Sequence, residues 1–365
     1  MLLAFSNRNL LLSIMKVLYH IPSLNSIYAQ RTIYHGFKNA FIDLGHEFLP
    51  FTADNNLSDM LETYRPDLFI TASHSYYRKY IDFDLLAQYR REGLFVLVKI
   101  DFWDSPISAL RINEARSMKD DTKLLNLISS GKMGDAFFHV LEQDDPRMDG
   151  FKQTTGHKYH TIPLAADKTL LKPIYDERFK ADISYVGTAL PEKRKFFKDN
   201  LYPLGHKYNL RLYGQDWTYL DRTLGWVQRA GQYFNVKILS RIRKPKLTFE
   251  EEAKIYGSSA VSVNVHEEYQ RNYGGDCNER TFKIPLCGGF EVVDNVACIK
   301  KYFVSNKELI IAKNSEEWVA MVQYYLNHPK ERELIIEAGK KRVLNDHTYH
   351  NRVDQMIKIK NGVDS

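Results

Sequence analysis

The sequence has few cysteines, no long apolar run and no large excess of charge of either sign. Its three cysteines, Cys277, Cys287 and Cys298, are an odd number in a chain of 365 residues, which argues against a disulfide framework and for a reducing compartment. No apolar run approaches the roughly 18 residues that a membrane-spanning helix needs. The net charge of +6 favours anionic ligands but lies far below the excess typical of nucleic-acid-binding proteins. We therefore expect a cytoplasmic globular protein with no membrane-spanning helix and no nucleic-acid partner.

Two glycine-rich phosphate-binding motifs are also missing. The pattern Gly-x-Gly-x-x-Gly after a strand, which dinucleotide sites need, does not occur, and neither does a Walker A motif. Residues 183–194 instead form a predicted strand that ends at Gly187 and opens onto a helix with Lys193 and Arg194 near its start. Backbone N–H groups at a helix N-terminus and two cations can hold a phosphate. A tight turn that requires glycine explains Gly187 equally well.

Short apolar segments alternate with amphipathic segments along most of the chain. Candidate strands lie at residues 16–21, 47–50, 67–71, 94–100, 136–141 and 159–163, and again at 182–186, 209–213, 260–265, 289–293 and 309–311. Continuously apolar strands are typical of parallel sheets covered on both faces. The alternation predicts an α/β protein with two doubly wound domains, residues 15–168 and 178–346, after an N-terminal extension at residues 1–14.

Carboxylates near predicted strand and helix ends are the first candidates for chemistry. Asp82 and Asp84 form an Asp-x-Asp pair, which can hold a divalent metal, but they directly precede a helical segment and are better interpreted as an N-cap. Asp101 and Asp104 follow the most apolar strand, where open α/β sheets bind ligands; for Asp104 a turn before Ser-Pro is the alternative. The cysteines and His266 match no usual zinc spacing, so we expect no metal site.

Residues 222–249 contain seven basic residues and no acidic residue. Apolar residues between them recur at intervals of about three and four, which is an amphipathic period. Such a segment can lie on an anionic membrane surface, or it can be the solvated cationic face of an ordinary helix. Gly225 and Gly231 argue against one long helix.

Residues 278–294 read Asn-Glu-Arg-Thr-Phe-Lys-Ile-Pro-Leu-Cys-Gly-Gly-Phe-Glu-Val-Val-Asp. This segment resembles the C-terminal signature of group-1 glycosyltransferases of the spore-maturation CgeB-like kind, in which a helix start runs into a Cys-Gly-Gly turn and a strand that ends in Asp. Other segments agree with the family in order, namely residues 185–187, 212–217, 256–264 and 347–352.

The resemblance implies a GT-B fold, in which two Rossmann-like domains with doubly wound parallel sheets face each other across a cleft. The second domain would hold a nucleotide sugar, and a C-terminal helix within residues 347–365 would cross back to the first domain. The implied activity is transfer of a sugar from a nucleotide-diphosphate donor to a glycan, lipid or protein acceptor. The alternatives are a nucleotide-sugar epimerase of the same fold and a non-catalytic scaffold that binds glycans or nucleotides.

The resemblance also nominates site residues. The candidate donor-binding residues are Gly187, Thr188, Arg194, Asn278, Glu279, Arg280, Lys283, Gly288 and Gly289. Lys283 stands where the family has a glutamate that binds ribose hydroxyls, and a cation cannot accept those hydrogen bonds. Either Glu279 substitutes for that glutamate, or the nucleotide is held differently, or the site is degraded.

Without an Asp-x-Asp metal site, cations and helix N-termini must stabilise the charge that grows on the leaving diphosphate. We therefore expect a reaction that needs neither metal nor cofactor. Asp101, Asp104 and His74 are the candidate catalytic bases on the first-domain side of the cleft. A peripheral contact with the inner face of the membrane through residues 222–246 is a further expectation.

Overall fold

The computed structural model describes residues 14–25, 29–104, 118–234 and 236–362. The predicted extension at residues 1–14 therefore lies outside the described residues, except for Ile14. Over the described residues the strands form two sheets, and every strand pairing within them is parallel. The doubly wound α/β fold expected from the sequence is confirmed.

The first sheet has six strands in the spatial order β2-β1-β3-β4-β5-β6. Its strands are β1 (Lys16–His20), β2 (Glu47–Phe51), β3 (Leu68–Ala72), β4 (Phe95–Lys99), β5 (Ala136–His139) and β6 (Tyr159–Thr161). The second sheet has five strands in the order β11-β10-β9-β7-β8. Its strands are β7 (Ala181–Val186), β8 (Leu210–Tyr213), β9 (Ser259–Asn264), β10 (Glu291–Asp294) and β11 (Ile310–Ala312).

Helices connect the strands and cover both sheets. In the first half they are α1 (Ala29–Asp43), α2 (Leu57–Tyr64), α3 (Ser75–Arg78), α4 (Phe83–Arg91), α5 (Thr122–Ser129) and α6 (Phe151–Thr155). In the second half they are α7 (Arg194–Phe196), continued by a π-turn to α8 (Tyr202–Leu204), then α9 (Tyr219–Tyr233), α10 (Lys237–Ser240), α11 (Phe249–Ser258), α12 (Glu268–Tyr273), α13 (Arg280–Leu286), α14 (Ile299–Tyr302), α15 (Ser315–Leu326), α16 (Pro329–Asp346) and α17 (Tyr349–Lys360). None of the helices in the described part of the chain is both long and apolar enough to cross a membrane.

The apolar strands are buried on both faces, as the sequence predicts. In β4, Val96 and Val98 belong to one hydrophobic core, whereas Leu97 between them belongs to the core on the opposite face. In β10, Val292 and Val293 divide in the same way between the two cores of the second sheet. Because neighbouring side chains of a strand point to opposite faces, a run of apolar residues fills both layers.

The order of strands reverses beside the first strand of each sheet. Strand β1 lies between β2 and β3, and strand β7 lies between β8 and β9. In open parallel sheets such reversals leave a crevice at the carboxyl ends of the strands, where ligands bind. The fold thus provides one crevice in each domain.

The last helix, α17, returns to the first domain. Tyr349 packs on Gly36 of α1 so closely that a Cβ at Gly36 would lie 2.2 Å from the tyrosine ring. His350 Nε2 of α17 lies 2.8 Å from Oδ2 of Asp43, the last residue of α1. The guanidinium of Arg352 donates to the carbonyls of Pro163 and Leu164, which lie between the two sheets in sequence. The predicted C-terminal crossover is therefore confirmed.

Candidate active site

Two adjoining cavities occupy the cleft between the sheets. The first-domain cavity, of about 540 Å³, lies at the carboxyl edge of the first sheet. The second-domain cavity, of about 410 Å³, lies at the carboxyl edge of the second sheet. Leu164 from the linker and Tyr269 and Asp276 from the second domain line both cavities. Two ligands bound in these cavities would therefore meet at the cleft.

Gly187, directly after β7, forms part of the floor of the second-domain cavity. A Cβ at this position would lie 2.6 Å from Nη1 of Arg280 and 2.9 Å from the hydroxyl of Tyr185. Gly214, after the neighbouring strand β8, is held equally tightly, since its Cβ would lie 2.3 Å from the carbonyl oxygen of Gly187. Glycine at position 187 thus lets the arginine approach the end of β7, and Thr188 continues the lining of the cavity.

Arg280 joins the ends of the two strands that flank the strand reversal. Its Nη1 donates to the carbonyl of Val186 at 3.3 Å, and its Nη2 donates to the carbonyl of Val265 at 3.1 Å. Its Nε donates at 2.9 Å to Asn264 Oδ1, which also accepts from the side chain of Asn278. These contacts fix the guanidinium at the cavity wall. Of its five N–H groups, two are not used in these bonds and can face an anion.

Three lysines, Lys193, Lys246 and Lys283, line the second-domain cavity, and two of them pair with carboxylates that also line it. Lys193 is 1% exposed, and its Nζ lies 2.5 Å from Oε1 of Glu267. Burial raises the pKa of Glu267, but the cations Lys193 and Arg280 outweigh burial and hold this pKa below its usual range. Lys283 Nζ lies 2.6 Å from Oε1 of Glu252, which also accepts from the hydroxyl of Tyr256.

Glu279 lies one turn before Lys283 and also lines this cavity. Its Oε1 accepts a hydrogen bond of 3.2 Å from the hydroxyl of Tyr349 in α17. Burial raises the pKa of Glu279 to about 7, although Lys283 and Arg280 oppose the rise. The returning helix thus supplies a hydrogen-bond donor to a carboxyl group of the second domain.

The first-domain cavity contains two of the three predicted bases. Asp101 follows β4 and lines the cavity, where its Oδ1 accepts from the N–H of Phe102. His74 also lines the cavity, and its Nδ1 accepts from the N–H of Tyr76 as the N-cap of α3. Asp104 lines neither cavity; its carboxylate pairs with Lys119 at 2.8 Å.

His20, at the end of β1, is a cavity residue that sequence reasoning missed. Its Nδ1 lies 2.9 Å from the hydroxyl of Thr71, and its Nε2 has no hydrogen-bond partner among the described residues. Burial lowers the pKa of His20 to about 3, so the ring is neutral near pH 7. A buried histidine inside an apolar strand gave no sequence signal that distinguished it from a core residue.

A buried ion-pair network joins the two domains where the cavities meet. Arg147, which is fully buried, pairs with Asp145 in its own loop and with Asp276 of the second domain at 2.6 Å. Gln270 donates to the other oxygen of Asp276 at 2.8 Å. Gly275 allows this contact, because a Cβ there would lie 1.9 Å from Asp145 Oδ2.

Three predicted donor-binding residues lie outside the lining of both cavities. Arg194 donates to the carbonyl of Ala189. Gly288, with φ of +73°, forms the turn after α13, and Gly289 packs against Ile284.

The N-cap interpretation of Asp82 is confirmed, since its carboxylate accepts from the N–H groups of residues 84 and 85. No group of three or more His, Cys, Asp or Glu side chains within the described ranges could hold a metal ion.

Glu252, Glu267 and Asp276 are cavity carboxylates that sequence reasoning missed. Glu252 lies within Glu-Glu-Glu at the start of α11, where acidic residues are ordinary helix-terminal residues. The fold brings Glu252 beside Lys283, which lies 31 positions away in the sequence. The local sequence contains no signal for such a pair.

The comparisons with known proteins agree with this geometry. Residues 194–358 match a family model described as glycosyl transferase-like. Sucrose-phosphate synthase from Thermosynechococcus elongatus has 12% identity and a TM-score of 0.60 over 95% of this chain and 99% of that one. A glycosyltransferase from Rickettsia africae has 11% identity and a TM-score of 0.59 over 96% and 99% of the two chains.

HepE from Anabaena, solved with UDP and glucose, has 11% identity and a TM-score of 0.55 over 95% of this chain and 100% of that one. At such low identities the solved structures establish the fold. The search of curated proteins gave no match. The chain therefore has the GT-B fold, and over residues 194–358 it is glycosyl transferase-like.

Proposed function

We propose that this protein is a glycosyltransferase that binds a nucleotide-diphosphate sugar in its second-domain cavity and transfers the sugar to an acceptor in its first-domain cavity. The observation that carries the proposal is the set of cations at the strand reversal of the second domain, where Arg280, Lys193 and Lys283 line one cavity. The glycosyl transferase-like match over residues 194–358 supports the same assignment.

The diphosphate is proposed to bind between these cations. Arg280 is held by two strand-end carbonyls, so it loses little side-chain entropy when it binds an anion. Lys193 and Lys283 each balance a carboxylate in the cavity and can turn part of their charge to a phosphate oxygen. This positive charge supports a reaction without a metal, because it can stabilise the diphosphate as it leaves.

The acceptor is proposed to bind in the first-domain cavity. Asp101 and His74 line it and are the candidate groups to accept a proton from an acceptor hydroxyl. The larger volume of this cavity suits a sugar-sized or larger acceptor, and a glycan, a lipid-linked group or a protein are the classes that we propose. We also propose that the protein acts in the cytoplasm, belongs to the CgeB-like branch and divides into domains at residues 15–168 and 178–346.

The test is incubation with UDP-, GDP-, dTDP- and CMP-sugars and measurement of released nucleotide. Slow hydrolysis of one donor supports a transferase. Isomerised donor without release indicates an epimerase, and tight binding without turnover indicates a scaffold. Either of the last two results contradicts the proposal.

Matched variants separate the cavity residues from their neighbours. We expect Arg280→Ala to weaken donor binding and Arg194→Ala to leave it unchanged, because both remove a guanidinium but, of the two, only Arg280 lines the cavity. Likewise we expect Asp101→Asn to slow transfer, while Asp104→Asn, whose carboxylate pairs with Lys119, has little effect. Equal effects within either pair would contradict the assignment of the cavities.

A further inference from the structure

The helix α9 exposes an apolar surface instead of burying it. Tyr219, Leu220 and Trp226 are 78%, 69% and 60% exposed. The opposite face of the helix contains Asp221, Gly225 and other small or polar residues that are buried. This arrangement is the reverse of an ordinary surface helix, which turns its apolar stripe to the core.

The following helix, α10, and the turn after it extend the same surface. Ile238 is 80% exposed and Ile242 is 43% exposed. The N–H of Val236 donates to the carbonyl of Gly231 at 2.8 Å, which sets α10 directly after α9. We call the exposed side chains of Tyr219, Leu220, Trp226, Ile238 and Ile242 the hairpin surface.

Arg243 connects the two ends of the hairpin that α9, α10 and the following turn form, and it lies on the buried side of this hairpin. This buried guanidinium pairs with Asp216 at 2.9 Å and with Asp221 at 3.4 Å, and it donates to Gln215. Gly225 makes room for it, because a Cβ there would lie 2.6 Å from Nη1 of Arg243. Arg243 thus links polar residues on the inner side of the hairpin, whereas the apolar residues of the hairpin surface lie on the outside.

The exposed charged side chains within residues 222–249 are all positive. Arg229, Arg241 and Lys244 are exposed, whereas Asp216 and Asp221 on the N-terminal side are paired with Arg243. Glu250, which lies beyond the hairpin in α11, pairs with Lys254 of its own helix. Residues 222–249 contain no acid. A surface of aromatic and aliphatic side chains surrounded by cations is complementary to an anionic lipid surface.

We propose that the hairpin surface docks the protein on an anionic membrane by inserting Trp226, Leu220 and Ile238 among the lipids while Arg229, Arg241 and Lys244 contact the headgroups. A second copy of the chain fits less well, because a two-fold interface sets each patch against itself and would bring these cations together. A nucleic acid would use the cations but has no use for exposed leucine and isoleucine side chains.

The hairpin is continuous in sequence with residues that line the second-domain cavity, so docking would also fix where the cleft lies. Its C-terminal end runs into Pro245, Lys246 and Leu247, which line the second-domain cavity. A docked protein would hold its cleft close to the lipid surface. The docking itself does not depend on the proposed function and can be tested without a sugar donor.

The experiment is flotation of the full chain with phosphatidylcholine vesicles, with and without phosphatidylglycerol. We expect binding only to the vesicles that contain phosphatidylglycerol, and we expect salt to weaken it. Trp226→Ser combined with Ile238→Ser should lower the partition coefficient at least about tenfold. Arg241→Gln combined with Lys244→Gln should also lower it and reduce the salt dependence.

Matched controls use exposed residues elsewhere. Leu334→Ser, at a side chain that is 75% exposed on α16, and Lys313→Gln with Lys341→Gln, both exposed, should leave binding unchanged. Trp226 is the most exposed of the four tryptophans, since Trp103 and Trp318 are buried and Trp217 is half-buried. Binding should therefore shift the tryptophan emission to the blue, and Trp226→Phe should abolish the shift while keeping most of the binding.

Three results would overturn the proposal. The first is no binding to anionic vesicles by a folded wild-type chain. The second is a wild-type dimer in analytical ultracentrifugation that the serine double variant converts to a monomer. The third is binding to a DNA duplex that depends on Arg241 and Lys244 and is unaffected by the serine substitutions. In assays with water-soluble donors the serine double variant should keep the wild-type rate, because neither side chain lines a cavity.

Discussion

Reversing the charge of Lys283 tests the electrostatics of the second-domain cavity most directly. Its side chain is 8% exposed, and its Nζ lies 2.6 Å from a carboxylate of Glu252 that is 11% exposed. Glu279 lines the same cavity one turn earlier. Lys283→Glu would therefore replace the only cation paired with Glu252 among the described residues and add a fifth carboxylate to the four that line the cavity, Glu252, Glu267, Asp276 and Glu279.

The magnitude follows from the burial of the pair. Breaking a buried ion pair by removing one partner costs about 3–5 kcal/mol, because the remaining charge stays buried without compensation. We expect Lys283→Glu to lower the free energy of unfolding by roughly that amount in urea denaturation. The double variant Lys283→Glu with Glu252→Lys restores a pair of opposite charges and should recover most of the loss.

Donor binding should change in the same direction. A carboxylate in place of the ammonium repels a diphosphate, so calorimetry with UDP, below the unfolding temperature, should show affinity at least about tenfold weaker, or ~1.4 kcal/mol. Lys313→Glu, an exposed charge reversal outside both cavities, is the control. A gain in affinity for Lys283→Glu would refute the reasoning and favour the scaffold alternative. Unchanged stability would show that the pair is not the buried contact described above.

Three further predictions concern donor binding, the pH dependence of stability and the need for a metal. Arg280→Ala should weaken nucleotide-diphosphate binding by about 1.5–3 kcal/mol in calorimetry, and unchanged affinity in a folded variant contradicts its assignment. Because burial raises the pKa of Glu279 from 4.5 to about 7, the folded state holds this proton more tightly than the unfolded state. The resulting stability is complete below pH ~4.5, is lost as the pH rises through 7 and amounts to roughly 3 kcal/mol at most; unfolding curves of Glu279→Gln should lack this dependence. Activity should survive EDTA, whereas complete loss that manganese restores would show that an acidic cluster such as Asp82 and Asp84 was misjudged.

The sequence predicted the strands well because burial on both faces leaves a local signal. In the strand Phe95–Lys99 the first four residues are apolar at consecutive positions, and few structures other than a covered parallel strand explain such a run. Helix α9 was harder, since Gly225 and Gly231 argue against a long helix over residues 219–233. The structure explains Gly225, because the guanidinium of Arg243 packs against it. The sequence around Gly225 gives no sign of this contact.

The candidate site was predictable in part. Asn278, Arg280 and Lys283 follow one another on a single turn-and-helix segment, so a motif could reveal them together. Their partners come from distant segments: Glu252 from α11 and Tyr349 from α17. Ion pairs and hydrogen bonds of this kind depend on how the helices and strands pack against one another. The spacing of residues in the sequence does not reveal that packing.

Two contacts make the second-domain cavity depend on elements of the first half and the C-terminus. Arg147 holds Asp276 across the cleft, and Tyr349, packed on Gly36 of the first domain, holds Glu279. Any rotation of one domain against the other must break or stretch both contacts, because each joins a side chain on the first-domain side to one of the second domain. If the protein has the proposed function, the domain arrangement that brings the two cavities together is the one in which Asp276 keeps its contact with Arg147 and Glu279 keeps its contact with Tyr349. Donor binding and domain position should then be energetically coupled through Asp276 and Glu279.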